Sequence, residues 1–190
     1  MKGMLGSIKL KILTALIGCF FWAGIQTACA AEINVNITGE IYIPPCKING
    51  NDTDIIVSFD NMSPYEVDGL KNAVTKTIAI SCYFYQGTPY IRMDGTVLPG
   101  AGDNVLNTTG TNSSSLGIAL YQGADVNASY PLRIGAGEQG EFGYKVTRGL
   151  TGQNTANGQF TFTAVPYKSG SGTLSAGAFS ATATMTLNYL

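Results

Sequence analysis

Residues 177–190 read GAFSATATMTLNYL and decide how the rest of the chain is to be understood. Phe179, Ala181, Ala183, Met185, Leu187 and Tyr189 alternate with small polar residues, the two-residue period of a strand with one buried face. No charge, proline or turn guards this strand after Tyr189, and only Leu190 follows it. Natural sheets blunt such edges, because an apolar strand with free backbone groups is a template for pairing. The opposite end poses the same problem. Ile33, Val35, Ile37, Gly39, Ile41 and Ile43 alternate in INVNITGEIYI, upstream of Pro44 and Pro45, which offer no backbone N–H to a ladder. Two unguarded strands at the two ends imply either that they pair with each other or that strands are added between chains.

Between these ends the strand pattern recurs. DIIVSF sets Ile55, Val57 and Phe59 on one side, and VTKTIAISC sets Val74, Ile78, Ile80 and Cys82 in one register. PYIRM, LGIALYQG, EFGYKV and GQFTFTAVPY follow, and no window past residue 31 shows a 3.6-residue apolar period. Seven or eight short strands in one domain predict an all-β antiparallel sandwich. LPGAGDNVLNTTGTNSSS, GLTGQNTANG and KSGSGTLSAG read as surface loops.

The first 30 residues read as a targeting segment. Lys2, Lys9 and Lys11 precede an apolar run over residues 12–23, and TACA supplies small residues for cleavage after Ala30 or Ala31. Residues 16–19, LIGC, also fit a bacterial lipidation box, a reading disfavoured by the short apolar stretch before them and by Phe20, Phe21 and Trp22 after them. Removing residues 1–30 lowers Lys and Arg from 11 to 8 against 12 acidic residues, a net charge of −4, which argues against a nucleic-acid partner. Cys19 and Cys29 leave with that segment. Cys46 and Cys82 remain, an even pair that an oxidising compartment is expected to join.

Catalytic chemistry finds no foothold in the sequence. The chain has no histidine, so the Ser-His-Asp and Cys-His nucleophilic arrangements are excluded and the commonest metal ligand is missing. Asp52 and Asp54 in NDTD lack the glycine and late glutamate of a calcium loop and read as a solvated turn. Gly135, Gly137 and Gly140 precede no helix that would present its N-terminus to a phosphate. We expect no catalytic residues, metal or cofactor, although two carboxylates meeting in space remain an option for a hydrolase. Tyr83, Phe84, Tyr85 and Tyr90 in CYFYQGTPY read as a strand exit packed on the core edge, with a sugar-stacking platform as the second reading.

Three stretches together, GEIYIPPC, the cysteine closing KTIAISC, and a terminal strand with penultimate Tyr189 and Gly177 fourteen residues from the end, resemble subunits of Gram-negative chaperone–usher pili. With GIALYQG and FTFTAVPYKSGSG, the resemblance runs closest to the minor tip pilins that join an adhesin to the tip fibrillum of P pili. It covers the whole chain past the targeting segment. The resemblance implies an immunoglobulin-like sandwich lacking its last strand, divided as 1–30 signal peptide, 31–43 N-terminal extension and 44–190 pilin domain. It implies that Ile33, Val35, Ile37, Gly39 and Ile41 form a donor strand for a neighbouring subunit. It further implies that Gly177, Phe179, Ala181, Ala183, Met185, Leu187, Tyr189 and Leu190 line a groove served first by a periplasmic chaperone. The implied partners are that chaperone, an outer-membrane usher and neighbouring subunits including a tip adhesin. The implied destination is a fimbrium on the bacterial surface, reached through the periplasm. A carbohydrate-binding adhesin subunit is the alternative, disfavoured because family adhesins carry a separate lectin domain and lack the N-terminal arm.

Overall fold

In the computed structural model residues 33–138 and 140–190 are described; the expected signal peptide, with Cys19 and Cys29, lies outside them. The chain divides into two units, Met1–Glu40 and Ile41–Leu190. In the first, residues 33–40 adopt no regular element, and Ile33, Val35 and Ile37 are exposed.

The second unit is an all-β sandwich. Its larger sheet runs β1 (Lys47–Ile48), β2 (Val74–Ser81), β9 (Asn157–Lys168), β6 (Leu116–Gln122) and β4 (Val105–Asn107), with β8 (Leu150–Thr151) also paired to β9. All its ladders are antiparallel. Twelve residues long, β9 is the spine: its first half pairs β2 and its second half pairs β6. A second sheet runs β11 (Thr184–Tyr189), β3 (Pro89–Asp94) and β7 (Tyr144–Lys145), and a two-stranded pair joins β5 (Thr109–Gly110) to β10 (Phe179–Ser180).

The core follows from the two-residue period. Ile78 and Ile80 of β2, Ile118 and Leu120 of β6, and Phe160 and Phe162 of β9 meet Ile91 and Met93 of β3 and Leu187 and Tyr189 of β11 in one buried cluster. A smaller cluster of Leu98, Val105, Ala119 and Val165 covers the opposite face of β6 and β9. That is why LGIALYQ reads as an unbroken apolar run: β6 is buried on both faces.

Several sequence expectations are corrected here. The long stretch read as one loop contains β4 and β5, because Leu98, Val105 and Leu106 are core residues embedded among Gly, Asn and Thr. GLTGQNTANG likewise contains β8 and the start of β9. DIIVSF forms no ladder, although Ile55, Val57 and Phe59 alternate half-buried with exposed neighbours as a strand would. The terminal strand is broken in two, at residues 181–183. EFGYKV shrinks to the two-residue β7. Among the described residues the strand count rises to eleven because many pairings last only two or three residues.

Cys46 and Cys82 form a disulfide, as expected. It closes a loop with a sequence separation of 36 at the point where β1 meets β2, Lys47 facing Ser81 and Ile48 facing Ile80. Replacing both cysteines by serine is expected to cost about 4 kcal/mol, the chain-entropy value for a loop of this length. Chemical denaturation of the purified subunit–chaperone complex, wild type against the double variant, checks this.

Candidate strand-accepting groove

The terminal strand β11 and Leu190 are held by their inner edge. Thr88 and Leu190 exchange two backbone hydrogen bonds, Thr88 N–H to Leu190 O at 2.7 Å and Leu190 N–H to Thr88 O at 3.0 Å. From there the register runs Tyr189 opposite Pro89 to Thr184 opposite Asp94. An antiparallel ladder alternates between bonded and non-bonded pairs, so Asn188, Thr186 and Thr184 bond to β3. Tyr189, Leu187 and Met185 therefore turn their backbone N–H and C=O groups the other way, off the edge of the sheet. On that edge a single backbone bond is made among the described residues: Cys46 N–H donates to Leu187 O at 2.8 Å. The outward groups of Tyr189 and Met185 have no backbone partner there.

Side chains tell the same story. Leu187 and Tyr189 are fully buried, whereas Phe179, Ala181, Ala183 and Met185 pack on the core but stay half-open. Facing them is a second half-open row, Ile55, Val57 and Phe59. The two rows converge at both ends: the Phe59 and Phe179 rings lie 6.2 Å apart, and the Cys46–Leu187 hydrogen bond closes the other end. Because Cys46 sits by Leu187 and Phe59 by Phe179, the 46–59 segment runs antiparallel to the terminal strand. Between them no ladder bond joins residues 53–62 to 179–186 among the described residues. The result is a groove with apolar walls and an unpaired strand edge along one side, which is the space of one missing strand.

Local sequence sets this shape. Gly95 ends β3 where a β-carbon would press on Leu106 and Ala183, so the terminal strand passes close and changes partner from β3 to β5. Gly87 has a φ of +109°, and a side chain there would collide with the Leu190 carbonyl. A larger residue at Gly177, exposed two residues before β10, would press on Thr111.

Of the residues read from sequence as groove-lining, Phe179, Ala181, Ala183, Met185, Leu187 and Tyr189 share one inward face, and Leu190 is held by Thr88. The proposed donor residues Ile33, Val35 and Ile37 are exposed, Gly39 has open space around it, and Ile41 is exposed at the start of the second unit. The facing wall of Ile55, Val57 and Phe59 escaped the sequence reading as a site, although its period of two was visible. Among the four neighbouring aromatics, Tyr85 packs on the core and Tyr90 lies in β3, but Tyr83 and Phe84 are exposed, so the expected strand exit is only half covered.

A family model described as Fimbrial protein matches residues 35–190. The chain belongs to the fimbrial protein family. Among curated proteins it is 45% identical over 164 residues to the fimbrial adapter PapF of Escherichia coli, a match covering 86% of this chain and 92% of that one. It is 44% identical over 164 residues to the minor fimbrial protein PrsF of the same organism, with the same coverage. The solved structure of the P pilus adaptor subunit PapF matches with 38% identity and a TM-score of 0.52, over 80% of this chain and all of that one. The P pilus rod subunit PapA, at 22% identity and a TM-score of 0.57 over 77% of this chain and all of that one, shares the fold. Membership in this family makes the chain a structural pilus protein of immunoglobulin-like fold.

Two outcomes test the groove's construction. Leu187→Ala, which empties a fully buried site under the strand, is expected to cost roughly 2–5 kcal/mol in denaturant unfolding. Burial pushes the Tyr189 phenol above the ordinary value of 10.0. A phenol whose folded value is raised contributes stability below its unfolded value, and loses it as pH climbs through the folded one. Spectrophotometric titration of the tyrosines should therefore show one late component that Tyr189→Phe removes.

Proposed function

We propose that this chain is a minor adaptor subunit of an adhesive pilus, joining a tip adhesin to the fibrillum by exchange of strands. The observation that carries the reading is the groove: two half-open apolar rows facing each other, with an unpaired strand edge along one side. A partner strand laid along it would satisfy the outward N–H and C=O groups of Met185 and Tyr189 and cover Phe179, Ala181, Ala183 and Met185. In the periplasm that strand comes from a chaperone. At the outer-membrane usher the arm of another subunit replaces it.

This subunit's own arm, residues 31–43, serves the neighbour in the same way, and the pilin domain begins at residue 44. Residues 1–30 are the export signal removed beforehand. Ile33, Val35, Ile37 and Ile41 present four branched side chains in one register, with Gly39 at the place where the receiving groove leaves no room. Their transfer from water is worth roughly 1.5–3 kcal/mol per side chain, on the order of 10 kcal/mol gross. Backbone hydrogen bonds add modestly, and ordering the arm takes part of the total back. The relative PapF, a fimbrial adapter 45% identical over 164 residues, supports the adaptor reading. No step of this role requires a catalytic residue, a metal or a cofactor.

Deleting residues 32–38 tests the reading. The truncated chain is expected to co-purify with the periplasmic chaperone, since its groove is intact, while the cells lose adhesin-tipped fibres in immuno-electron microscopy. Normal adhesin-tipped fibres from that strain would refute the role of the arm.

A further inference from the structure

The pole of the domain that carries the disulfide exposes a patch of large apolar side chains. Ile41 is fully exposed, Tyr83 is 94% exposed, Tyr42 70% and Phe84 39%. The disulfide brings the two stretches together, with the Cys46 and Cys82 Cα atoms 4.2 Å apart. Tyr83 and Phe84 immediately follow Cys82, and Ile41 and Tyr42 lie five and four residues before Cys46. Neither residues 41–46 nor residues 81–91 include a charged side chain. Aromatic enrichment with charge depletion is the composition of an interface centre rather than of ordinary surface.

We infer that this pole docks on the rim of the groove that receives this subunit's arm, so that the joint between the two subunits is a surface as well as a strand. The inference rests on the reading of the arm as a donor. Covalent reach makes the argument: Ile41 is the last residue in the donor register, and five residues later Cys46 is fixed to Cys82 and to Leu187. Five residues span at most about 18 Å, so once Ile41 is seated the disulfide pole stands against the receiving subunit. Tyr42, Tyr83 and Phe84 are then the first side chains to meet it. A sugar is a poorer occupant, because stacking needs polar groups to hold the hydroxyls, and Gln86 is the one amide and no carboxylate stands in either stretch. Tyrosines in such positions are frequent anchors of binding energy.

The test replaces Tyr83 by the photo-reactive amino acid p-benzoylphenylalanine, aromatic for aromatic, in the full chain purified with its chaperone. A matched probe at Tyr65, an exposed ring on the 3-10 turn Pro64–Glu66 near the Phe179 end, is the control. After strand exchange into the groove of a receiving subunit, the probe at position 83 is expected to crosslink to that subunit and the probe at 65 is not. The double variant Y83S/F84S is expected to exchange equally well but to give a broader inter-domain distance distribution in solution scattering. A crosslink to the chaperone that disappears on exchange, or an exchanged product with no crosslink from position 83, overturns the inference. So does specific retention of Tyr83-intact protein on a glycan array that Y83S/F84S abolishes. If the wild-type chain forms no exchange product at all, it is the reading of the arm that fails.

Discussion

A strand edge bonded at a single point governs the rest of this molecule. Met185 and Tyr189 direct their backbone groups away from β3, and among the described residues only Leu187 finds a partner on that side, in Cys46. Unmet backbone hydrogen bonds next to an apolar surface are costly when buried and adhesive when exposed. The half-open row from Phe179 to Met185 shows that the core beneath this edge is also unfinished. An edge and a core incomplete at the same place call for a strand, because a strand supplies main-chain groups at the ladder spacing and side chains at every second position.

The rest of the sandwich holds that vacancy open. The disulfide pins the start of the facing segment to β2, and β2 is bound along its whole length to β9. On the opposite side Gly87 lets Leu190 lock onto Thr88, so the terminal strand is fixed at its far end. Between these anchors the walls approach one another through the Phe59 and Phe179 rings, 6.2 Å apart. A groove with fixed ends cannot zip itself shut without moving either a covalent link or a fully buried Leu187. This rigidity separates a binding groove from a gap that side chains would collapse to fill.

Much of this was legible in the residues. The alternation from Phe179 to Tyr189, the pairing of Cys46 with Cys82 and the all-β class follow from period, redox chemistry and the absence of helical patterning. The errors have a common cause. Val105 and Leu106 lie within a run of Gly, Asn and Thr, so local composition hid strands that long-range pairing with β6 creates. DIIVSF has the period of a strand but lacks a neighbour to bond, so it stays outside every ladder. A period reports which face of an extended chain is buried. It does not report whether another strand is present to bond with.

The sequence by itself determined the chemistry: a chain without histidine, an even pair of cysteines past the targeting segment, and two alternating apolar stretches, of which Phe179 to Tyr189 lacks the charges that normally protect an edge. Tertiary structure alone decided that Ile55, Val57 and Phe59 face the terminal strand and that only its outer edge is bare. It likewise decided that Tyr83 and Phe84 surface beside the disulfide. These facts depend on which distant segments lie side by side, and side-chain order along one segment carries no record of what packs across from it.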